Sequence, residues 1–204
     1  SNLCQEITLP TKPLNHIDDE EGEIALCILS AINVGTLRSL DDLEELCELA
    51  VRALEEIIDY QRYPIKAAEI STKARRSLGV GYIGLAHYLA RQHAKYEDGT
   101  AWKLVHDLSE AFQFYLLRAS NKLAQERGAC EYFSRTKYAD GILPIDTYKK
   151  EVDTIVENKL NYDWDSLRND IKEHGLRHST LSAQMPSESS SVVSNATNGI
   201  EPPR

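Results

Sequence analysis

The stretch Glu23-Ile24-Ala25-Leu26-Cys27-Ile28-Leu29-Ser30-Ala31-Ile32-Asn33-Val34 is a continuous apolar run that Gly35 closes. A run of this length without regular polar alternation is typical of a strand that is buried on both faces, as in a parallel sheet. We therefore predict a buried strand over residues 23–34. On this pattern alone, Cys27 in the middle of the strand is a core residue.

Amphipathic helices dominate the chain after this strand. Ser39-Leu40-Asp41-Asp42 resembles a capping box, and apolar residues then recur at helical spacing over residues 43–58. A second long amphipathic pattern covers residues 102–127, and Gly128 is its expected cap. Shorter helices are predicted over 147–156 and 164–174. The region 39–174 is thus mainly helical, and the fold class is α/β with much helix.

Gly79-Val80-Gly81-Tyr82-Ile83-Gly84 matches the dinucleotide fingerprint in letters but not in context. The fingerprint requires a strand before it, whereas the preceding residues 73–78 are polar and helix-like. We interpret these glycines as sites of close helix packing. The basic group Lys73, Arg75 and Arg76 is predicted to be a solvated face, with phosphate contact as a less favoured alternative.

Size and charge exclude several classes of protein. The chain has 204 residues, 42% of them hydrophobic, and a net charge of −9, which suits one domain or part of one. An acidic balance disfavours a nucleic-acid-binding surface. Neither a membrane-spanning run nor a signal peptide is evident, so we expect a cytoplasmic protein without membrane contact. Because the first residue is Ser1, we expect an internal segment of a longer chain.

Four cysteines, at positions 4, 27, 47 and 130, form no Cys-x-x-Cys pair and no zinc-like spacing with histidine. We predict no metal site. Cys47 falls on a helical apolar stripe and Cys130 in a loop, so both are interpreted as structural.

The first residues place an amide, a thiol and a carboxylate at alternate positions, in Asn2, Cys4 and Glu6. In an extended segment these side chains point the same way and converge on one spot. Such a group can bind, oxidise and deprotonate a small polar substrate. From this pattern alone, a buried structural cysteine is the commoner case.

Near the other end, residues 179–185 are predicted to form a short strand that leads into Pro186-Ser187-Glu188-Ser189-Ser190-Ser191. A strand followed by a serine-rich turn, with Pro186 at the first helical position, suits an anion such as phosphate. An ordinary serine-rich helix cap is the alternative, which the pattern leaves open.

Several stretches together resemble the large, catalytic subunit of class I ribonucleoside-diphosphate reductases. They are Asn2-Leu3-Cys4-Gln5-Glu6, Gly22-Glu23-Ile24-Ala25-Leu26-Cys27, Gly141-Ile142-Leu143-Pro144-Ile145-Asp146-Thr147-Tyr148, Met185-Pro186-Ser187-Glu188-Ser189-Ser190 and Asn195-Ala196-Thr197-Asn198-Gly199-Ile200-Glu201-Pro202-Pro203-Arg204. Their order and spacing over the whole chain make the resemblance specific. Gln184, where an apolar residue is expected, and Ser189, where threonine is common, depart from the family pattern.

The resemblance implies part of a ten-stranded α/β barrel over residues 1–204. A finger loop at 1–13 would carry the catalytic cysteine into the barrel. The buried strand at 23–34, the helices at 39–174, and a strand with a phosphate-binding turn at 179–204 would follow.

The same resemblance implies replacement of the ribose 2′-hydroxyl by hydrogen. Cys4 would form a thiyl radical, Glu6 would act as general base, and Asn2 would hold the substrate. Cys27 would be one of two cysteines that reduce the substrate and end as a disulfide. Residues 187–190, namely Ser187, Glu188, Ser189 and Ser190, would line the substrate diphosphate site.

Partners and effectors also follow from the resemblance. This segment would bind no cofactor itself, and a metal-containing small subunit would supply the radical. Thioredoxin or glutaredoxin would reduce the disulfide, a second large subunit would form a homodimer, and ATP, dATP and other effectors would bind elsewhere in the full chain. The remaining segments of the large subunit would be needed for turnover.

Two other interpretations stay open on sequence grounds. One is a generic thiol oxidoreductase that uses Cys4 and Cys27, although no Cys-x-x-Cys motif lowers the pKa of either thiol. The other is a helical interaction module without catalysis, which the amphipathic helices at 43–58 and 102–123 would support.

Overall fold

A parallel pair of strands lies at the centre of the computed structural model, which describes residues 4–157 and 159–203. Strand β1 is Ile28–Asn33 and strand β2 is Leu78–Ile83, in register from Ile28 opposite Leu78 to Asn33 opposite Ile83. Two helices, α1 (Asp42–Tyr60) and α2 (Lys66–Arg75), form the crossover that a parallel pair requires.

Strand β1 is shorter and less buried than the sequence predicts. Residues 23–27 are not paired with β2, because Glu23 pairs with Lys12 in an isolated antiparallel bridge and the Ile24 N–H donates to the carbonyl of Ala67. Within β1 only Ile32 is buried, and Leu29 is 41% exposed. The strand is therefore not buried on both faces, because side chains such as Leu29 remain accessible to solvent.

A third extended segment lies on the other side of β2. The N–H groups of Leu78 and Val80 donate to the carbonyls of Thr180 and Leu181, and the Ala183 N–H donates back to Val80. Val80 and Ser182 form a parallel bridge. Three extended segments of the chain thus lie side by side with β2 in the middle.

The remaining helices are α3 (Leu85–Arg91), α4 (Thr100–Arg127), α5 (Pro144–Thr147), α6 (Trp164–His174) and α7 (Glu188–Val193). Helices α1 and α4 pack against each other around a core that includes Leu43, Val51, Leu108 and Leu116. The predictions of α1, α4 and α6 are confirmed, and Gly128 and Gly175 end α4 and α6. The predicted helix at 147–156 is instead the end of α5 and a short 3-10 helix, Lys150–Thr154.

The interpretation of the glycines at 79–84 as helix-packing sites is wrong, because five of these six residues belong to β2. A Cβ added at Gly79 would lie 2.8 Å from the Cys27 sulfur and 2.6 Å from a Leu29 methyl carbon. A Cβ at Gly81 would collide with the carbonyl oxygen of Ala183. Glycine is needed here because neighbouring segments approach the strand closely.

The prediction of a solvated basic face at 73–76 is also wrong for two of its three members. Arg75 and Arg76 are buried. Both the Nε and a terminal nitrogen of Arg75 lie 2.8 Å from Glu23 Oε2. Arg76 donates to Glu55 at 2.8 Å and to Asp59 at 2.7 Å. Burial without these carboxylates would leave the guanidinium charges uncompensated.

Glu55 is the centre of a buried polar cluster, which we call the Glu55 cluster (Glu55, Arg76, Ser120, Arg177 and His178). Its carboxylate is fully buried and accepts hydrogen bonds from Arg76, from Arg177 at 2.7 Å and from His178 Nε2 at 3.0 Å. The other ring nitrogen of His178 lies 2.9 Å from the Ser120 hydroxyl. The cluster ties α1, the end of α2 and α4 to the start of the segment that runs along β2.

Across the part of the chain that the structure describes, no helix combines the length and apolar character needed to cross a bilayer.

Candidate active site

The segment that begins at Cys4 packs against the strands through alternate residues. Ile7 and Leu9 are buried in a small apolar cluster with Ala183, against which Cys27 also packs. Thr8 and Pro10, between and after them, are exposed. This alternation, which an extended segment imposes, fixes the loop over the Cys27 side of the strands.

Of the residues predicted to act at the start of the chain, the structure brings Glu6 close to Cys27. Cys4 is an exposed free thiol two residues before the half-buried Glu6. Gln5 between them has a φ of 59°, so the prediction of an extended segment from Cys4 to Glu6 is wrong. Asn2 lies outside the described residues. Burial raises the pKa of the Cys27 thiol, and the negative charge of Glu6 raises it further, to about 12. The Glu6 carboxylate therefore lies near enough to Cys27 for its charge to act on the thiol.

Cys27 sits just before β1 rather than in the middle of a buried strand, and it is half-buried. Its sulfur lies 3.9 Å from the carbonyl oxygen of Ile28. Gly79 on β2 leaves the space that this sulfur occupies. Cys27 lies outside the main core and packs against the small cluster of Ile7, Leu9 and Ala183, so the interpretation of Cys27 as a core residue is wrong.

The other two cysteines are structural, as predicted. Cys47 is fully buried in the main core, with its sulfur 4.0 Å from the carbonyl oxygen of Phe112. Cys130 is buried beneath the end of α4. Burial raises the pKa of the Cys47 thiol to about 12 and that of Cys130 to about 11. All four cysteines are free thiols.

The serine turn (residues 187–190) follows the extended segment beside β2. Ser187 occupies the N-cap position of α7 without a side-chain capping hydrogen bond, so Pro186 lies outside the helix and not at its first position as predicted. Ser187 is buried, and its N–H and hydroxyl both donate to Asn198 Oδ1. Ser189 and Ser190 are exposed, and the Ser190 hydroxyl donates to the Ser187 carbonyl. A cavity of about 360 Å³ adjoins the turn and is lined in part by Glu188 and Ser191.

Gln184 and Asn198 support this turn, and the sequence interpretation assigned neither of them a role. The Gln184 side chain accepts from the Tyr82 N–H at 3.4 Å and donates to the Tyr82 carbonyl at 2.7 Å. It thereby continues the hydrogen bonding to β2 where the backbone turns away. The sequence signal for this contact was the polar Gln184 at a position where the family pattern has an apolar residue. For Asn198, the signal was the Asn198-Gly199 pair, which is typical of a turn.

One group of potential metal ligands occurs among the described residues, formed by His106, Asp107 and Glu110 on α4. The Glu110 carboxylate already accepts from the N–H groups of Asn161 and Tyr162, the Asn161 amide and the Trp164 indole. Asp107 is paired with Lys103. The Glu110 carboxylate therefore anchors the chain at the start of α6. Hydrogen bonds and the Lys103 ion pair already occupy the carboxylates of Glu110 and Asp107, which is the pattern of a structural contact.

Comparison with known proteins covers the whole chain. The ribonucleotide reductase barrel-domain family matches residues 1–204. The chain is 63% identical over 204 residues to the ribonucleoside-diphosphate reductase subunit alpha of Haemophilus influenzae, and 63% identical to ribonucleoside-diphosphate reductase 1 subunit alpha of Escherichia coli (strain K12). Subunit alpha of Enterobacteria phage T4 is 49% identical over 206 residues.

These alignments include 100% of this chain but 27% of the two bacterial relatives and 26% of the phage relative. The chain thus spans about a quarter of the length of the curated relatives it matches. They confirm the resemblance carried by the sequence motifs: the chain belongs to the ribonucleotide reductase barrel-domain family and corresponds to a segment of subunit alpha.

Proposed function

We propose that this segment carries the thiyl cysteine for reduction of ribonucleoside diphosphates to deoxyribonucleoside diphosphates. The observation that carries the proposal is the packing of Ile7 and Leu9, which follow Cys4 and Glu6 directly in the chain, in one apolar cluster against Cys27. A base, a reducing thiol and a radical-forming thiol on adjoining segments are the groups that this reaction requires. The ten-stranded barrel around them, with the finger loop at 1–13, is part of the same proposal.

The first step is hydrogen-atom transfer. The Cys4 thiyl radical takes the 3′ hydrogen of the ribose, so that an S–H bond forms, a C–H bond breaks and the radical moves to C3′. Glu6 accepts the 3′-hydroxyl proton as general base. Asn2 is proposed to hold the substrate by hydrogen bonds. The C2′–O bond then breaks, and the 2′-hydroxyl leaves as water with the proton of one thiol of the reducing cysteine pair.

Reduction follows from Cys27. Together with a second cysteine in the remaining part of the large subunit, it supplies two electrons, the proton of the leaving water and the hydrogen that bonds to C2′, and the pair ends as a disulfide. Glu6 returns its proton to the 3′ oxygen, and Cys4 returns its hydrogen atom to C3′, which regenerates the thiyl radical. The raised pKa keeps the Cys27 thiol protonated at neutral pH. A generic thiol oxidoreductase needs a thiolate for exchange, so a raised pKa at Cys27 disfavours that alternative. A helical module without catalysis does not account for the match to a reductase family.

The substrate diphosphate is proposed to bind at the serine turn. Glu188, Ser189 and Ser190 would line it, with backbone N–H groups of the turn as donors. Ser187, which the sequence also suggested as a ligand, directs its hydroxyl to Asn198 and would support the turn from within.

The partners in this proposal lie outside the segment. A metal-containing small subunit would supply the radical, and thioredoxin or glutaredoxin would reduce the disulfide. A second large subunit would complete a homodimer, and nucleotide effectors would bind elsewhere in the full subunit. We expect no turnover from the 204-residue segment alone.

Cysteine variants of the complete reductase test the proposal. Cys4→Ser should abolish reduction and leave nucleoside diphosphate binding nearly unchanged, because a serine O–H bond is too strong for the radical step. Cys27→Ser should still allow hydrogen abstraction but block the reducing step. Cys130→Ala, at a structural cysteine, is the matched control and should keep activity. Substrate should also slow alkylation of Cys4. Retained reduction in Cys4→Ser would refute the assignment of Cys4.

A further inference from the structure

One side-chain oxygen, Asn198 Oδ1, accepts two hydrogen bonds from the first residue of the serine turn. Asn198 Oδ1 accepts the Ser187 N–H at 3.3 Å and the Ser187 hydroxyl at 3.2 Å. Ser187 is only 4% exposed, so water cannot readily replace these hydrogen bonds. The position of Ser187, and with it the start of the turn, therefore depends on where Asn198 is placed.

Asn198 is itself placed by its two neighbours. The carbonyl of Thr197 accepts the N–H of Gly84 at 2.8 Å, and the carbonyl of Gly199 accepts the N–H of Leu85 at 3.4 Å. Gly84 and Leu85 form the junction between β2 and α3. The contact between Asn198 and Ser187 thus transmits the position of the end of β2 to the serine turn.

Asn198 also lines the cavity of about 360 Å³ beside the turn, together with Glu188, Ser191 and Glu201, whereas Ser189 and Ser190 lie outside it. We propose that Asn198 is a positioning residue for substrate diphosphate, acting through Ser187 to hold Glu188, Ser189 and Ser190 in place in the serine turn. The inference rests on the proposed function and deepens it. It predicts an effect on diphosphate binding rather than on the radical chemistry at Cys4.

Steady-state kinetics of the complete reductase separate this role from a general structural one. Asn198→Ala should raise KM for the nucleoside diphosphate by on the order of tenfold, because the buried Ser187 groups lose their acceptor, while kcat stays within about twofold. Binding of the corresponding nucleoside without phosphate should not change. Ser194→Ala, an exposed position in the same loop, is the matched control and should behave as the wild type.

Two further measurements test the route through Ser187. If Asn198 acts through Ser187, the double variant Ser187→Ala/Asn198→Ala should raise KM no more than Asn198→Ala alone. Asn198→Asp keeps an acceptor oxygen, so amide exchange of residues 187–191 should stay slow, whereas Asn198→Ala should accelerate it. Exchange is the readout for Asn198→Asp because its added charge also opposes the diphosphate.

An unchanged KM in Asn198→Ala, an equal loss of nucleoside binding, or additive effects in the double variant would overturn the inference. Failure of the proposed function itself would appear differently, as absence of nucleoside diphosphate binding by the wild-type reductase.

Discussion

Replacing Glu55 with glutamine removes the negative charge on which the Glu55 cluster depends. Burial alone would raise the pKa of this carboxyl group, but hydrogen bonds from His178, Arg76 and Arg177 outweigh burial and lower the pKa from 4.5 to about 2. A shift of this size corresponds to about 3 kcal/mol in favour of the charged, folded form. Loss of one partner of a buried ion pair costs about 3–5 kcal/mol, which is the same range.

The local free energy of opening is measured by hydrogen exchange in the complete large subunit that carries Glu55→Gln. Amides of residues 76–80 and 177–181 should exchange about 10²-fold faster, since each factor of ten is about 1.4 kcal/mol. Glu56→Gln is the matched control, because Glu56 is adjacent on α1 and paired with Arg127 at 2.6 Å but exposed. An exposed pair contributes only about 0–1 kcal/mol. Equal exchange rates in the two variants would refute the reasoning.

Further predictions concern acid stability and the Cys27 site. Because the pKa of Glu55 is lowered on folding, the stabilisation of the folded state by Glu55 is complete above about pH 4.5 and is lost as pH falls towards 2. The difference in exchange rate between wild type and Glu55→Gln should therefore shrink steadily between pH 5 and 3. A constant difference would contradict this. Gly79→Ala should reduce turnover about tenfold or more, because the added methyl group lies 2.8 Å from the Cys27 sulfur and displaces it. Unchanged turnover with unchanged thermal stability would show that the reaction tolerates this displacement of Cys27. The iodoacetamide alkylation rate of Cys27, followed by peptide mass spectrometry, should rise about tenfold per pH unit from 7 to 9.5 without levelling, because its pKa is about 12; a plateau near pH 9 would show an ordinary thiol.

The long helices were predictable from sequence because local patterns determine them. Helices α1, α4 and α6 have apolar residues at helical spacing and end at a proline-limited segment, Gly128 and Gly175, respectively. Strand β2 was not predictable in the same way. Its glycines carry no apolar pattern, and their reason is the approach of Cys27, Leu29 and Ala183, which are distant in sequence.

In the candidate site, too, the features that local sequence patterns encode were predictable, and those that depend on tertiary contacts were not. The order of Asn2, Cys4 and Glu6 is visible in the sequence, but the left-handed backbone of Gln5, which prevents an extended segment there, is not. The family motifs add Cys27 and the serine turn. The role of Asn198 depends on a hydrogen bond across eleven residues that no local pattern encodes. Arg76 illustrates the reverse case, since its charge suggested solvent and only the tertiary position of Glu55 explains its burial.

The Glu55 cluster also has a consequence for synthesis of the chain. Glu55 and Arg76 are 21 residues apart, whereas Arg177 and His178 lie 122 and 123 residues from Glu55. At roughly 5–20 residues per second, a ribosome adds the roughly 100 residues between Arg76 and His178 in on the order of ten seconds. During that interval Arg76 is the local partner that balances the Glu55 charge. The nascent α1–α2 unit therefore carries its own counter-charge, and the segment that leads to the serine turn docks onto it as a late step of folding.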